Sequence, residues 1–298
     1  LLLKAEFLEA RGESKARADV LAQRAALSGS NAQRAAASIE SAHGWLAAGD
    51  LERSVVAVRE ALQTLGSADD TGSIELRRAA LLCLGECSWK GRAWPEVHEA
   101  YEALYGSQMT AGNPEHFLRW GTALEKLGRA EQASGILEMV LSDDESDSVT
   151  AQACRLLGHL LEGLGRFRDA GAAQERFASS EASALSDPAR ADAWFRAGCI
   201  YRRDASLIED AKRCMEIALG IASAHLPALD ALEQIARDQD DNERLAVILG
   251  RKVAAMGRHP QRQRGLLIRL AELQEHVLDR MDVARETYRR VLEMAPEY

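Results

Sequence analysis

Apolar residues recur along this chain at the spacing of a helix face, as in Leu157, Leu160, Leu161 and Leu164, and charged residues fill the positions between them. The apolar stretches are short and are interrupted by Gly-Arg or Gly-Asp pairs, at Gly49-Asp50, Gly128-Arg129 and Gly165-Arg166. A glycine just past a helical run ends the helix, so each pair predicts a tight turn between two helices. The pattern also repeats. Gly121 and Ala133 return 37 residues later as Gly158 and Ala170, with Leu-Gly-Arg between the members of each pair. Self-similarity on this scale predicts stacked supersecondary units.

Extending the pattern outward gives a series of first-helix positions: Ala42, Gly85, Gly121, Gly158, Gly198 and Ala271, with Glu233 as the exception. Their second-helix partners are Ser54, Val97, Ala133, Ala170, Ala211, Ala284 and, for Glu233, Leu245. The offset within each pair is 12 or 13 residues, while the gaps between pairs vary from 35 to 43. Two helices that cross closely need small residues where their backbones meet, so the offset inside a hairpin is fixed and the linkers drift. Asn113-Pro114 and Asp187-Pro188 each place a capping side chain before a proline suited to a first helical turn. Pro227, Pro260 and Pro296 mark further hairpin boundaries, and Pro95 follows the Gly91-Arg92 turn. Seven hairpins are predicted, over 35–68, 78–111, 114–147, 151–184, 191–225, 226–259 and 264–298, an array covering 31–298. Residues 1–30 read as a degenerate helical pair, a truncated repeat broken at Gly12 and Gly29.

The script resembles the tetratricopeptide repeat. That family has a bulky residue, a Leu-Gly pair and an aromatic on the first helix, then a turn, then Ala, aromatic, Ala and Pro on the second. The 191–225 unit supplies Trp194, Ala197-Gly198 and Tyr201, then Ala211, Met215 and Ala218. The last unit supplies Leu270-Ala271, Ala284, Tyr288, Val291 and Pro296, and the third Phe117, Trp120-Gly121, Leu124, Gly128 and Ala133. The resemblance covers roughly residues 35–298 and is weakest in the first two hairpins and the sixth. It implies an all-α solenoid of antiparallel hairpins, a right-handed superhelix whose first helices line a concave groove.

Composition narrows the picture. The chain has 298 residues, 47% apolar but only 5% aromatic, and its alanine and leucine favour helix over sheet. A net charge of −9 disfavours nucleic acid as a partner. No window has the uninterrupted apolar run of a membrane span. Five cysteines without a C-x-x-C pair point away from disulfides and zinc and towards a reducing, cytoplasmic compartment. Arginine far outnumbers lysine, which with abundant alanine suggests a GC-rich bacterial source. The chain starts at Leu1-Leu2-Leu3-Lys4 without an initiator methionine and reads as a fragment or processed form.

Catalytic patterns are missing. The seven histidines are scattered, and there is no H-E-x-x-H, Walker-type loop or G-x-S-x-G elbow. No enzyme activity, cofactor or metal is expected. Cys83 and Cys87, four apart on one helix face, could form half a metal site, but read better as buried small hydrophobes. The tryptophans Trp45, Trp89, Trp94, Trp120 and Trp194 read as packing rather than a ligand box. Ser142–Ser148 reads as a solvated acidic turn, with an acidic docking peptide as the other reading.

Carried over from the resemblance, the groove-facing slots hold Arg119, Arg155, His159, Phe195, Arg196, Arg202 and Arg269. Guanidinium groups bind carboxylates bidentately, so the fitting partner is another protein, through an acidic segment or a C-terminal carboxylate. The alternative is that these arginines are solvated and paired with local glutamates. The asparagines of the family's chaperone-binding carboxylate clamp are absent at Leu118, Thr122, Leu156 and His159. The expected function is a non-catalytic protein-binding scaffold that holds a peptide or helix in its groove. A sensory or regulatory arm of a larger signalling protein, such as a kinase or transcription regulator, is the alternative, and RNA binding a third. Oligomeric state is open.

Overall fold

The computed structural model describes residues 1–67, 70–106, 112–141, 147–257 and 259–294. Among these residues the chain is helical throughout, with no strand. It divides into two compact units, Leu1–Asp144 and Glu145–Tyr298.

The first unit contains α1 (Leu2–Ala10), α2 (Ser14–Leu27), α3 (Asn31–Ala47), α4 (Leu51–Leu65), α5 (Thr71–Gly91), α6 (Trp94–Tyr105), α7 (Pro114–Lys126) and α8 (Ala130–Val140). The second contains α9 (Ser148–Gly163), α10 (Phe167–Ser179), α11 (Asp187–Tyr201), α12 (Ile208–Ile221), α13 (Leu226–Asp238), α14 (Asn242–Ala255), α15 (Pro260–His276) and α16 (Met281–Met294). Within each unit, helices adjacent in sequence pack against each other.

One turn joins several of these pairs. After α9 the Arg166 amide donates to the Leu161 carbonyl at 2.9 Å and the Gly165 amide to Glu162 at 3.1 Å. The same two bonds run from Arg129 to Leu124 and from Gly128 to Glu125 after α7. This is a Schellman ending, and it needs a left-handed residue, which glycine supplies at φ +74° (Gly128) and +75° (Gly165). The next residue, Arg129 or Arg166, already caps the following helix. The Gly-Arg pair is thus a complete reversal in two residues.

Helix starts follow caps rather than the apolar pattern. The α5 helix begins at Thr71, well before residue 78, because the Asp70 carboxylate accepts the Ser73 amide at 3.0 Å. Likewise Ser30 accepts from Gln33 at 3.2 Å ahead of α3, and Asp147 from Thr150 at 2.7 Å ahead of α9. Asn113 caps α7 as its sequence suggests, accepting from Glu115 at 2.8 Å. Asp187 does not cap. The Arg190 amide donates to the Ser186 carbonyl at 2.8 Å, so Ser186 takes the cap position and Asp187 lies inside α11. Most of the acidic turn, residues 142–146, and Pro296 lie outside the described residues.

The small-residue offset describes only some of the crossings. A Cβ placed on Gly158 would stand 3.3 Å from the Ala170 carbonyl oxygen, and one on Gly198 3.0 Å from that of Ala211. In the first hairpin the Ser54 hydroxyl donates to the Ala42 carbonyl at 2.8 Å. Gly121 differs: its nearest neighbour across the hairpin is Leu137, one turn beyond Ala133. Gly85 meets the Tyr101 ring rather than Val97. In both, a large buried side chain of the second helix lies over the glycine, so a void above the first helix is filled from one turn further on. The N-terminal pair continues the packing. Gly44 of α3 faces Ala18 of α2, and the Ser41 hydroxyl donates to the Ala18 carbonyl at 2.9 Å.

Candidate functional site

The basic residues expected in one groove have different surroundings. Arg119 belongs to the first unit. It pairs with Glu115 one turn back on α7, bonds the Tyr101 hydroxyl, and lies 5.9 Å from the centre of the Trp89 ring. The other six residues are in the second unit.

On α9, Arg155, His159 and Glu162 fall on one stripe, at the i, i+4, i+7 spacing of a single helix face. Glu162 accepts from Arg196 of α11 and from Arg203 in the turn after it, each at 3.1 Å. One carboxylate therefore joins the stripes of two first helices. Arg196 is consumed in that contact. Phe195 is half-buried and packs on the His225 ring at 5.2 Å, while His225 contacts Asp192 of α11 at 2.8 Å. Arg155, His159 and Arg202 are exposed, and none has an ion pair among the described residues.

Arg269 is consumed too. Its guanidinium lies 2.8 Å from the carboxylate of Glu233, which also receives Lys252 and Arg237. Glu233 is only 4% exposed, and Lys252 bonds Asp230 at 2.5 Å as well. Burial alone would push the Glu233 carboxyl up, but hydrogen bonds from Lys252 and Arg237 outweigh it and hold the group below its ordinary range. The Lys252 ammonium is held above its ordinary value for the reciprocal reason, against its own burial.

A parallel set of pairs, unforeseen from sequence, ties together the second helices. Glu175 of α10 meets Arg213 of α12 at 2.5 Å, Glu216 of α12 meets Arg251 of α14 at 2.7 Å, and Glu243 of α14 meets Arg280 before α16 at 2.7 Å. Burial raises the Glu175 carboxyl, but bonds from Arg213 and the Tyr201 hydroxyl lower it further. The sequence signal was present: in each pair a glutamate and an arginine are separated by about one repeat. Both rows of the second unit are thus braced between successive hairpins. Of the expected groove arginines, Arg196 and Arg269 take part in that bracing.

Cys83 and Cys87 are buried, their sulfurs 3.8 Å apart, with the Ser54 hydroxyl 2.8 Å from Cys87. Ser54 spends its hydrogen on the Ala42 carbonyl. The thiols therefore donate in sequence, Cys83 to Cys87 and Cys87 to Ser54, and the bond to Cys87, with burial second, pushes the Cys83 thiol far up. No group of three metal-binding side chains comes together among the described residues. Trp89 and Trp94 pack edge to face at 5.6 Å, and Trp120 donates to His98 at 2.9 Å. No described helix is long and apolar enough to cross a membrane.

Antiparallel hairpins with Schellman turns, packed in chain order and braced pair to pair, define the class: an all-α helical-repeat protein. In sequence script and in fold the chain is similar to tetratricopeptide-repeat proteins. Similar solved structures include YrrB, a TPR protein with an unusual peptide-binding site, at 24% identity, with 66% of this chain and 91% of YrrB covered and a TM-score of 0.47. They include also the C-terminal part of a TPR repeat-containing protein from Cytophaga hutchinsonii, at 12% identity, covering 87% and 96%, TM-score 0.43. A tetratricopeptide repeat protein from Parabacteroides merdae is similar at 15% identity, covering 88% and 93%, TM-score 0.44. No family model and no curated protein matches the chain.

Proposed function

We propose that the chain is a non-catalytic protein-binding scaffold, and that the first-helix face of its second unit docks an acidic segment or C-terminal carboxylate of another protein. The observation that carries this reading is the division among the basic residues. Arg196, Arg203 and Arg269 are bound to glutamates of their own chain, whereas Arg155 and Arg202 are exposed without an ion pair among the described residues. Arg155 and His159 continue the stripe that ends at Glu162, and Glu162 ties that stripe to α11, the helix that ends next to Arg202. Braced helices hold these side chains in place, so little ordering entropy is lost when a partner binds. Charged side chains on such a face set orientation and encounter rate as much as affinity.

Arg155→Glu combined with Arg202→Glu tests the reading, with a fluorescent acidic peptide ending in a free carboxylate as the probe. Binding at low salt should weaken by roughly tenfold or more, with helicity by circular dichroism unchanged. Unchanged binding would dismiss the two arginines as solvated surface.

A further inference from the structure

The α3 helix lies between α2 and α4, and packs against both. The α2 wall, Ala22, Ala25 and Ala26, ends at Cβ, and the α4 wall carries Ala57 with Glu60, Gln63 and Thr64. Two adjoining depressions result, of about 400 and 610 Å³. They share Ala22 and Ala57 and so form one groove with α3 as its floor. Volumes of this size suit an inserted ligand or side chains of a docked segment.

Two further features point to an occupant. Ser38, on the floor, is 5% exposed and makes no side-chain hydrogen bond among the described residues, while Ser41 one turn on is satisfied by the Ala18 carbonyl. Its hydroxyl borders the groove, where it can bond a group that enters. On the α4 rim, Glu52, Val56 and Glu60 follow one another at i, i+4, i+8, a single stripe. The valine is exposed between the two glutamates. Neither glutamate has an ion pair among the described residues. Arg53 beside them is occupied by Asp50, by Asp19 and by the Trp45 ring 4.7 Å away, and Arg34 at the other end donates to the Ser28 carbonyl. Arg34 has no ion pair among the described residues, so two unpaired glutamates stand against one unpaired arginine and the net unpaired charge of the groove is negative.

We infer that this groove docks an amphipathic helix of a partner protein, with small apolar residues along its buried stripe and basic side chains spaced to meet Glu52 and Glu60. The alanine wall of α2 lets a helix backbone approach closely, as small residues do at other close helix crossings. The two carboxylates stand eight residues apart, about 12 Å along α4, so matching lysines or arginines fall two turns apart on the incoming helix. Val56 meets the apolar residue between them. This groove differs in unit, helices and sign of charge from the arginine face proposed above.

The experiment uses the full chain and two labelled helical peptides of eighteen residues. Both carry an alanine-valine stripe; one has lysines eight residues apart on its flank and the other has glutamates there. The lysine peptide should bind roughly tenfold more tightly at low salt. Glu52→Lys with Glu60→Lys, both on exposed positions, should reverse the preference in favour of the glutamate peptide. Ala22→Trp should block both peptides while helicity by circular dichroism is kept. Equal binding of the two peptides, or a preference that survives the charge reversal, would overturn the inference. So would self-association of the chain, abolished by the charge reversal, because it would make a second copy the occupant.

Discussion

Arg269 Nη2 lies 2.8 Å from Oε1 of Glu233, and that carboxylate fills the slot where most other first helices carry glycine or alanine. The sixth hairpin replaces a close backbone crossing with a buried charge held by Lys252, Arg237 and Arg269. A buried pair is costly to break from one side, because the remaining charge keeps its desolvation penalty without its partner. Glu233→Ala should therefore destabilise the second unit by about 3–5 kcal/mol. Glu233→Leu with Lys252→Met, which removes both buried charges, should fall much closer to the parent. Urea denaturation, combined with hydrogen exchange of the α13 and α15 amides, compares the two. Equal losses would show that the network stabilises by something other than mutual compensation.

Acid should act through the same carboxylates. Glu233 and Glu175 are both held below the ordinary glutamate value of 4.5 in the folded state. A group whose pKa is depressed on folding stabilises above its unfolded value, and that contribution fades as pH falls through the folded value. Stability of the second unit should thus hold at neutral pH and decline below about 4.5, as protonation releases Lys252, Arg269 and Arg213. Thermal melts from pH 7 to pH 3 measure the slope. Glu233→Gln should lower stability at pH 7 and flatten the acid limb; an unaltered limb would assign the acid sensitivity elsewhere.

The hairpins were legible because their signals are local. Leu-Gly-Arg specifies a Schellman reversal using residues within one turn of each other, and an asparagine before proline specifies a helix start. Glu233 was visible as an exception to the small-residue series, but not as a centre of three charged partners, since Arg269 and Lys252 come from other helices. The division within the arginine face was hidden for the same reason. A sequence position on a first helix says which way a side chain points, but not whether a glutamate one repeat away already holds it. Arg196 and Arg269 were held and Arg155 was not. The alanine groove of the first unit gave still less signal. Ala22, Ala26 and Ala57 read as ordinary helix formers, and only the packing of α2 and α4 on α3 makes them walls.

Glu162 competes for the arginines that an acidic partner would use. It holds Arg196 and Arg203 at 3.1 Å each and is itself partly exposed. An exposed pair of this type contributes only about 0–1 kcal/mol to stability. Glu162→Gln should leave the melting temperature almost unchanged, while freeing two guanidinium groups next to the Arg155–His159 stripe. Affinity for the acidic peptide should rise, and the gain should shrink in high salt. Calorimetry at two salt concentrations reads it; weaker binding would mean that Glu162 positions the arginines instead of occupying them.

Glycines inside the helices include both crowded and open positions, and substitutions at the two should move stability in opposite directions. At Gly198 an added Cβ would meet the Ala211 carbonyl oxygen and the Met215 side chain, both at 3.0 Å, inside a crossing where Ala211 and Met215 are fully buried. Neither can withdraw without moving α12, so Gly198→Leu should overpack the hairpin and cost about 1–3 kcal/mol or more. Gly135 in α8 and Gly250 in α14 lie inside their helices with nothing within 4 Å of an added Cβ. Glycine in a helix interior is about 1 kcal/mol less favourable than alanine, chiefly because the unfolded chain loses more freedom on folding. Gly135→Ala and Gly250→Ala should therefore each stabilise by up to about 1 kcal/mol. Since the positions lie in different units, their effects should add in the double variant. Denaturation midpoints of the three single variants check the contrast. Destabilisation by Gly135→Ala would mean that some neighbour approaches α8 more closely than its open surroundings allow.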